Sequence, residues 1–169
     1  MHIALFFWDR LPVPEYGGTQ RMVVALARGL AAAGHRVTLV AGHGSSVPEA
    51  TLVPVSIVEA RKPTFDIRLL LPRGLDIVLA CAPLRIPPDV PWIRRLAGNW
   101  KPGTTGAPNT LYLSRNHAQR HGGAAFVYNG VDPADYRFRR HKDDYDLFLG
   151  RLHGVKGYRW AAAGAKRLR

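Results

Sequence analysis

Cysteine is nearly absent: Cys81 is the single one in 169 residues. One thiol cannot close an internal disulfide or build a cysteine-based zinc site. Disulfide-stapled secreted domains are therefore excluded, and a reducing cytoplasm suits the chain. Cys81 ends the apolar run Ile77-Val78-Leu79-Ala80-Cys81, where a small buried core residue is expected rather than a catalytic thiol. Long apolar runs are missing too. No stretch approaches the ~20 residues of a membrane span. The opening segment is not a signal peptide, because no basic residue precedes its short apolar run and Asp9 and Arg10 end it. The expectation is a soluble, cytoplasmic protein.

Acidic residues are scarce. Asp and Glu number 12 against 24 Lys and Arg, a formal net charge of +12. Such a field attracts phosphates, nucleotides, anionic lipid surfaces or nucleic acid without choosing among them. A solvated basic surface accounts for the charge equally well. Peripheral contact with the anionic inner face of a membrane is one expected partner mode. Nucleic acid is not expected, for there is no basic helix, RNP motif or zinc pattern. The sequence also lacks a P-loop and a GxGxxG fingerprint, so ATP and nicotinamide sites find no support.

What is present reads as a globular α/β domain, 47% hydrophobic and 21% charged. Ile3 to Phe7 is a continuous apolar run of strand length, which suits a strand buried on both faces of a parallel sheet. The loop 11–18, Leu-Pro-Val-Pro-Glu-Tyr-Gly-Gly, breaks it. A helix follows, with Val23, Leu26 and Leu30 at helical spacing, and Ala27 and Ala31 on the same stripe. Thr19 can cap its start and Gly34 can close its end. Val37 to Ala41 is a second strand, which completes a right-handed βαβ unit. Further strands are expected at 52–58, 76–81, 110–113 and 125–128, with a short helix at 114–121. The proline-rich 83–91 and the segment 99–109 read as loops. His141 to Asp144 looks like a charged linker, Tyr145 to Gly150 like a new strand, and Gly157 to Arg169 like an alanine-rich helix.

Four places can carry chemistry. Gly17 and Gly18 precede the first helix, whose free N–H groups and positive dipole end suit a phosphate; a plain turn reads the same way. Asn129-Gly130-Val131-Asp132-Pro133 is a turn by chemistry, Asn-Gly favouring positive φ. Arg151 and Lys156 flank a glycine-containing loop, and such a pair can grip a pyrophosphate. Two solvated cations are the plainer alternative. No metal-ligand pattern stands out.

Taken in order, Gly17-Gly18-Thr19, Ala33-Gly34-His35 before Val37-Thr38-Leu39, Asn129-Gly130-Val131-Asp132, and Gly150-Arg151-Leu152 with Lys156-Gly157 resemble the retaining GT-B glycosyltransferases of family 4. The resemblance spans the whole chain but only the first half of such an enzyme. It implies a Rossmann-like parallel sheet with helices on both faces, incomplete at its carboxyl end. Residues 1–141 would form the amino-terminal acceptor-side domain. Residues 142–169 would be a linker plus the first strand and helix of a missing donor domain; a helix docked back on the first domain is the alternative. It implies sugar transfer from a nucleotide-sugar donor to an acceptor, with retention and with neither metal nor cofactor. Gly17, Gly18, Arg151 and Lys156 would then hold the donor phosphates. Asn129, Gly130 and Asp132 would mark the domain junction.

Two departures weigh against a self-sufficient enzyme. Where the family often carries a His-Gly at the reaction centre, this chain has Leu96-Ala97-Gly98-Asn99. Alanine can neither donate a proton nor bond a sugar hydroxyl. His117 and His121 read as solvated residues of a surface helix and are not candidates. The second departure is the lack of any counterpart to the family's glutamate-rich donor motif. Little or no activity is expected from this segment alone. A noncatalytic sugar- or anion-binding module that needs a partner chain is the competing reading.

Overall fold

The computed structural model describes residues 1–101 and 104–168. Pro102 and Gly103, read above as part of a loop, and the terminal Arg169 lie outside them. The chain divides into two compact units, Met1–Asp132 and Pro133–Arg169. The division falls before Pro133, whereas the sequence reading placed a boundary after His141.

The first unit is built on six parallel strands: β1 (His2–Phe7), β2 (Arg36–Gly42), β3 (Thr51–Val55), β4 (Ile77–Ala80), β5 (Trp92–Arg95) and β6 (Thr110–Leu111). Their spatial order is β3-β2-β1-β4-β5-β6, and every neighbouring pair is parallel. All six residues of β1 are buried, so its uninterrupted apolar run is what a central strand requires. Leu5, Phe6 and Leu39 are fully buried, and each such side chain stabilises the fold by about 1.5–3 kcal/mol before entropy is set against it. Pro54 lies in β3, an edge strand, where a missing N–H is tolerated.

Helix α1 (Gly18–Ala32) links β1 to β2 and buries Val23, Val24 and Ala27. Its N-cap is Gly17 and no side chain caps it, so the expected Thr19 cap is not the one used. Gly34 closes its far end at φ 83°, with the His35 N–H donating to the Leu30 carbonyl at 3.0 Å. The chain runs β1 to β3 toward one edge and returns to β4 beside β1. Right-handed crossovers then place α1 on one face and the β3–β4 connection on the other. Phe65 of that connection packs on Phe6, ring centroids 6.2 Å apart. Helices do cover both faces, as an α/β doubly wound sheet requires.

Several elements differ from expectation. The strand expected at 52–58 stops at Val55, because the Ser56 hydroxyl accepts from the Val58 N–H and starts α2 (Ile57–Ala60). β5 was read as nothing at all; it is four residues long and half of it is arginine. The expected strand 125–128 shrinks to one parallel bridge between Tyr112 and Phe126. The helix at 114–121 is α3 (Arg115–Arg120), capped by the Ser114 hydroxyl. In the second unit, no strand forms at 145–150. Its Tyr145, Leu147 and Leu149 are exposed, and alternation alone makes no strand without a ladder to join. The alanine-rich helix is present as α4 (Tyr158–Leu168).

Gly42 is a close-approach site. A Cβ there would lie 2.7 Å from the Arg10 nitrogen and the Asp9 carbonyl carbon. The Gly42 N–H donates to the Asp9 carbonyl at 2.9 Å, so the chain leaving β1 crosses directly over the end of β2. Because backbone cannot withdraw as a flexible side chain can, we expect Gly42→Ala to cost about 1–3 kcal/mol in urea unfolding. Gly29 sits inside α1 with open space at its Cβ position; Gly29→Ala should stabilise by up to about 1 kcal/mol in the same assay. Cys81 is 4% exposed and desolvation pushes its thiol up to about 11. Ellman's reagent at pH 8 should therefore label it only at the rate of unfolding, and rapid labelling of the folded chain would contradict its core placement.

Candidate functional site

In an open parallel sheet, ligands bind beyond the carboxyl ends of the strands, where the strand order reverses. Here that place is between β1 and β4. The loop after β1 is fastened to the loop after β2 at several points. Leu11 donates its N–H to the Ser45 hydroxyl at 2.9 Å, Ser45 donates onward to the Gly42 carbonyl at 2.6 Å, and Arg10 Nε donates to the Gly44 carbonyl at 3.0 Å. Leu11 itself is fully buried. This fastening delivers Gly17 and Gly18 to the start of α1.

That helix start is open to a ligand. It has no side-chain cap and no acidic residue in its first turn, so its first N–H groups have no intrahelical acceptor. A Cβ on Gly18 would meet nothing within 4 Å. At Gly17 a Cβ would come within 2.9 Å of the Val13 methyl and 2.7 Å of Gln20 Oε1. Gln20 is in turn held by Asp9, its Nε2 donating to the carboxylate at 2.9 Å.

On β4 and β5 the register extends the site. Phe6 pairs with Ala80 and Ala80 with Arg94, so Phe7, Cys81 and Arg95 form the next row on the opposite face. Arg94 points with Trp92, its guanidinium carbon 5.5 Å from the ring centroid, and donates to the Leu84 carbonyl at 2.8 Å. Arg95 lies on the α1 face. Its Nη2 donates to Asn129 Oδ1 at 2.6 Å, and its buried Nη1 has no partner among the described residues. Desolvation holds the Arg95 guanidinium below its ordinary value.

Asn129 thus serves as the acceptor for an arginine 34 positions earlier. Neither Asn129 nor Gly130 takes the positive φ that Asn-Gly turn chemistry favours. Gly130 has open space at its Cβ position, and Asp132 ends the first unit. Arg151 and Lys156 belong to the second unit, where Lys156 ends the 3-10 turn Gly154–Lys156 and is exposed. Gly17 and Gly18 belong to the first.

His117 and His121 are not solvated. They are 8% and 3% exposed and pack with Tyr112, their ring centroids 5.2 Å apart. A six-residue polar helix taken alone looks like surface, but Leu96, Tyr112 and Ala118 form a small second core beneath this one. His117 Nδ1 accepts from the Leu113 N–H at 3.2 Å. That leaves Nε2 to carry the proton and donate to the Gly98 carbonyl at 3.2 Å. His117 therefore pins the 96–99 loop, one residue from Ala97. Gly123 makes the packing possible, since a Cβ there would run into the Tyr112 ring.

The family model of Glycosyltransferase Family 4 matches residues 16–104, more than half of the chain. The chain belongs to glycosyltransferase family 4. The match takes in Gly17, Gly18, α1, β5 and most of the loop that follows β5. Asn129, Arg151 and Lys156 lie beyond it. No curated protein matches the chain. Among the described residues no cluster of three or more His, Cys, Asp or Glu could hold a metal ion. Among them, too, no helix is long and apolar enough to cross a membrane.

Burial depresses two imidazoles of this family 4 domain below the ordinary value of 6.5. For His117 desolvation leads and the Gly98 carbonyl opposes it. For His2 desolvation leads, with Arg36 adding to it. A depressed histidine binds its proton more readily unfolded than folded. Its contribution is complete above the ordinary value and is lost as pH falls below it. Urea midpoints should therefore drop between pH 7 and pH 5. His117→Ala should cost about 1–3 kcal/mol at pH 7, since it leaves a buried N–H and a carbonyl unpaired. It should also flatten part of the acid slope; an unchanged slope would mean that His117 does not titrate with unfolding.

Proposed function

We propose that this chain is the acceptor-side domain of a retaining glycosyltransferase, which moves a sugar from a nucleotide-sugar donor to an acceptor without a metal or cofactor. The single observation that carries the reading is the family 4 match, which begins at Tyr16 and takes in the start of α1, a helix start without a side-chain cap. Unpaired N–H groups and the positive end of the helix favour a diphosphate there. Gly18 leaves the backbone approachable, while the side of Gly17 that a Cβ would take is filled by Gln20 and Val13. In the second unit, Arg151 and Lys156 are cations of the kind that offset charge developing on a diphosphate leaving group. The junction motif Asn129, Gly130 and Asp132 closes the acceptor side, and residues 142–169 begin the donor side. The basic charge of +12 fits a cytoplasmic protein peripheral to the inner face of a membrane.

A specific residue favours a second reading. Ala97 stands where the family often has a histidine, and alanine can neither donate a proton nor bond a sugar hydroxyl. A noncatalytic sugar- or anion-binding module that works with a partner chain follows from that residue.

The deciding experiment is nucleoside diphosphate release from a panel of nucleotide sugars, by the chain alone and after addition of a family 4 donor domain. We expect slow release alone and faster release with the added domain, unchanged by EDTA and with the anomeric configuration kept by NMR. Arg151→Ala and Lys156→Ala should each slow the completed enzyme by about 100-fold. Release that stays at background in every combination supports the binding module instead.

A further inference from the structure

We propose that Arg95 receives an oxyanion, a phosphate or carboxylate group carried by the acceptor, at the carboxyl ends of β4 and β5. This rests on the reading of the domain as the acceptor side. A guanidinium keeps its charge at every working pH. Arg95 carries that charge into a half-buried place and finds no acid there: among the described residues, no carboxylate forms an ion pair with it. Its Nη2 meets the neutral amide oxygen of Asn129, and its Nη1 is buried with no partner. The neighbouring Cys81, held at about 11, is a neutral thiol. A buried donor without an acceptor in a folded protein calls for an explanation, and an absent anion is one that also supplies the missing charge.

The position fits a ligand rather than a structural role. Arg95 is the last residue of β5 and lies on the same face as Phe7 and Cys81. With strands spaced 4.7–4.9 Å, it stands about 10 Å along the sheet from Phe7, within the span of one substrate from the β1–α1 loop. Arg94, one residue earlier, makes the contrast. It faces the other way, and although its own Nε is also buried without a partner, its terminal arm donates to the Leu84 carbonyl and its guanidinium lies over the Trp92 ring, whereas Arg95 Nη1 is a terminal arm with nothing to bond among the described residues. Asn129 holds one arm of the Arg95 fork in place and leaves Nη1 for a charge-assisted hydrogen bond to an oxyanion.

The test is calorimetric titration of inorganic phosphate, and separately of acetate, at constant ionic strength. The proteins are the unaltered chain, Arg95→Gln, Arg95→Lys and, as a control for general surface charge, Arg159→Gln on exposed α4. Circular dichroism establishes that each is folded. We expect phosphate or acetate to bind the unaltered chain and Arg159→Gln alike, and Arg95→Gln at least about tenfold more weakly. Arg95→Lys should fall between, since it keeps the charge but loses the fork. Co-sedimentation with phosphatidylcholine vesicles carrying phosphatidic acid separates a lipid-borne phosphate from a free one; Arg95-dependent sedimentation without free-phosphate binding assigns the membrane source. Equal affinity of Arg95→Gln and the unaltered chain overturns the proposal, and so does the lack of binding in all three arms. Because no arm needs sugar transfer, Arg95-dependent binding beside a failed nucleoside diphosphate assay would sink the glycosyl-transfer reading and leave the oxyanion site standing.

Discussion

Complete burial of β1 is the constraint on which the rest of this domain depends. A strand shielded on both faces must have a neighbour on each side and cover above and below. The chain meets this by winding outward through β2 and β3, then returning to pair β4 with the free side of β1. The return makes the connections on either side of β1 lie on opposite faces. The loops after β1 and β4 therefore part at the ends of these two strands, the place where open parallel sheets bind ligands. The candidate site is a consequence of how the core is covered.

This end of the sheet is then shaped by close backbone approaches rather than by large side chains. Gly42 lets the chain after β1 lie across the end of β2, and Ser45 ties the two loops together. The result is a fixed entry into α1 whose first N–H groups stay unclaimed. Across the switch point, β5 brings an arginine that forms no ion pair among the described residues. Both features are positive, one at the start of α1 and the other at the last residue of β5. Positive groups gathered at one end of a sheet suit anionic ligands, whatever the overall charge.

The βαβ unit was legible because its signals are local. The apolar run 3–7, the stripe through Val23 and Ala27, and Gly34 at the helix end each report on their own neighbourhood. The β1–α1 loop was legible for the same reason, since glycines before a helix mark an open start. β5 was not: four residues with two arginines follow a proline-rich loop, and only pairing with β4 and β6 makes them a strand. Arg95 was missed with it. The bond from Arg95 to Asn129 spans 34 positions and leaves no periodicity to find. His117 and His121 misled for a related reason. A short polar helix reads as surface until Leu96 and Tyr112 are known to lie under it. Asn129 was singled out as turn chemistry, whereas its side chain acts as an acceptor.

The sequence by itself determined the class of fold, the central strands and first helix, the burial of Cys81, and the membership in glycosyltransferase family 4 suggested by its ordered motifs. The fold class, its elements and the buried thiol follow from hydrophobic period and turn chemistry, which act over a few residues and need no partner to be read; the family follows from the resemblance of the ordered motifs alone. Only the tertiary structure decided that β5 exists, that two histidines are interior, that Gly42 must remain glycine, and that Arg95 has an unfilled arm. Each of these depends on which distant segment arrives beside the residue, and therefore on what can solvate, pair with or crowd it.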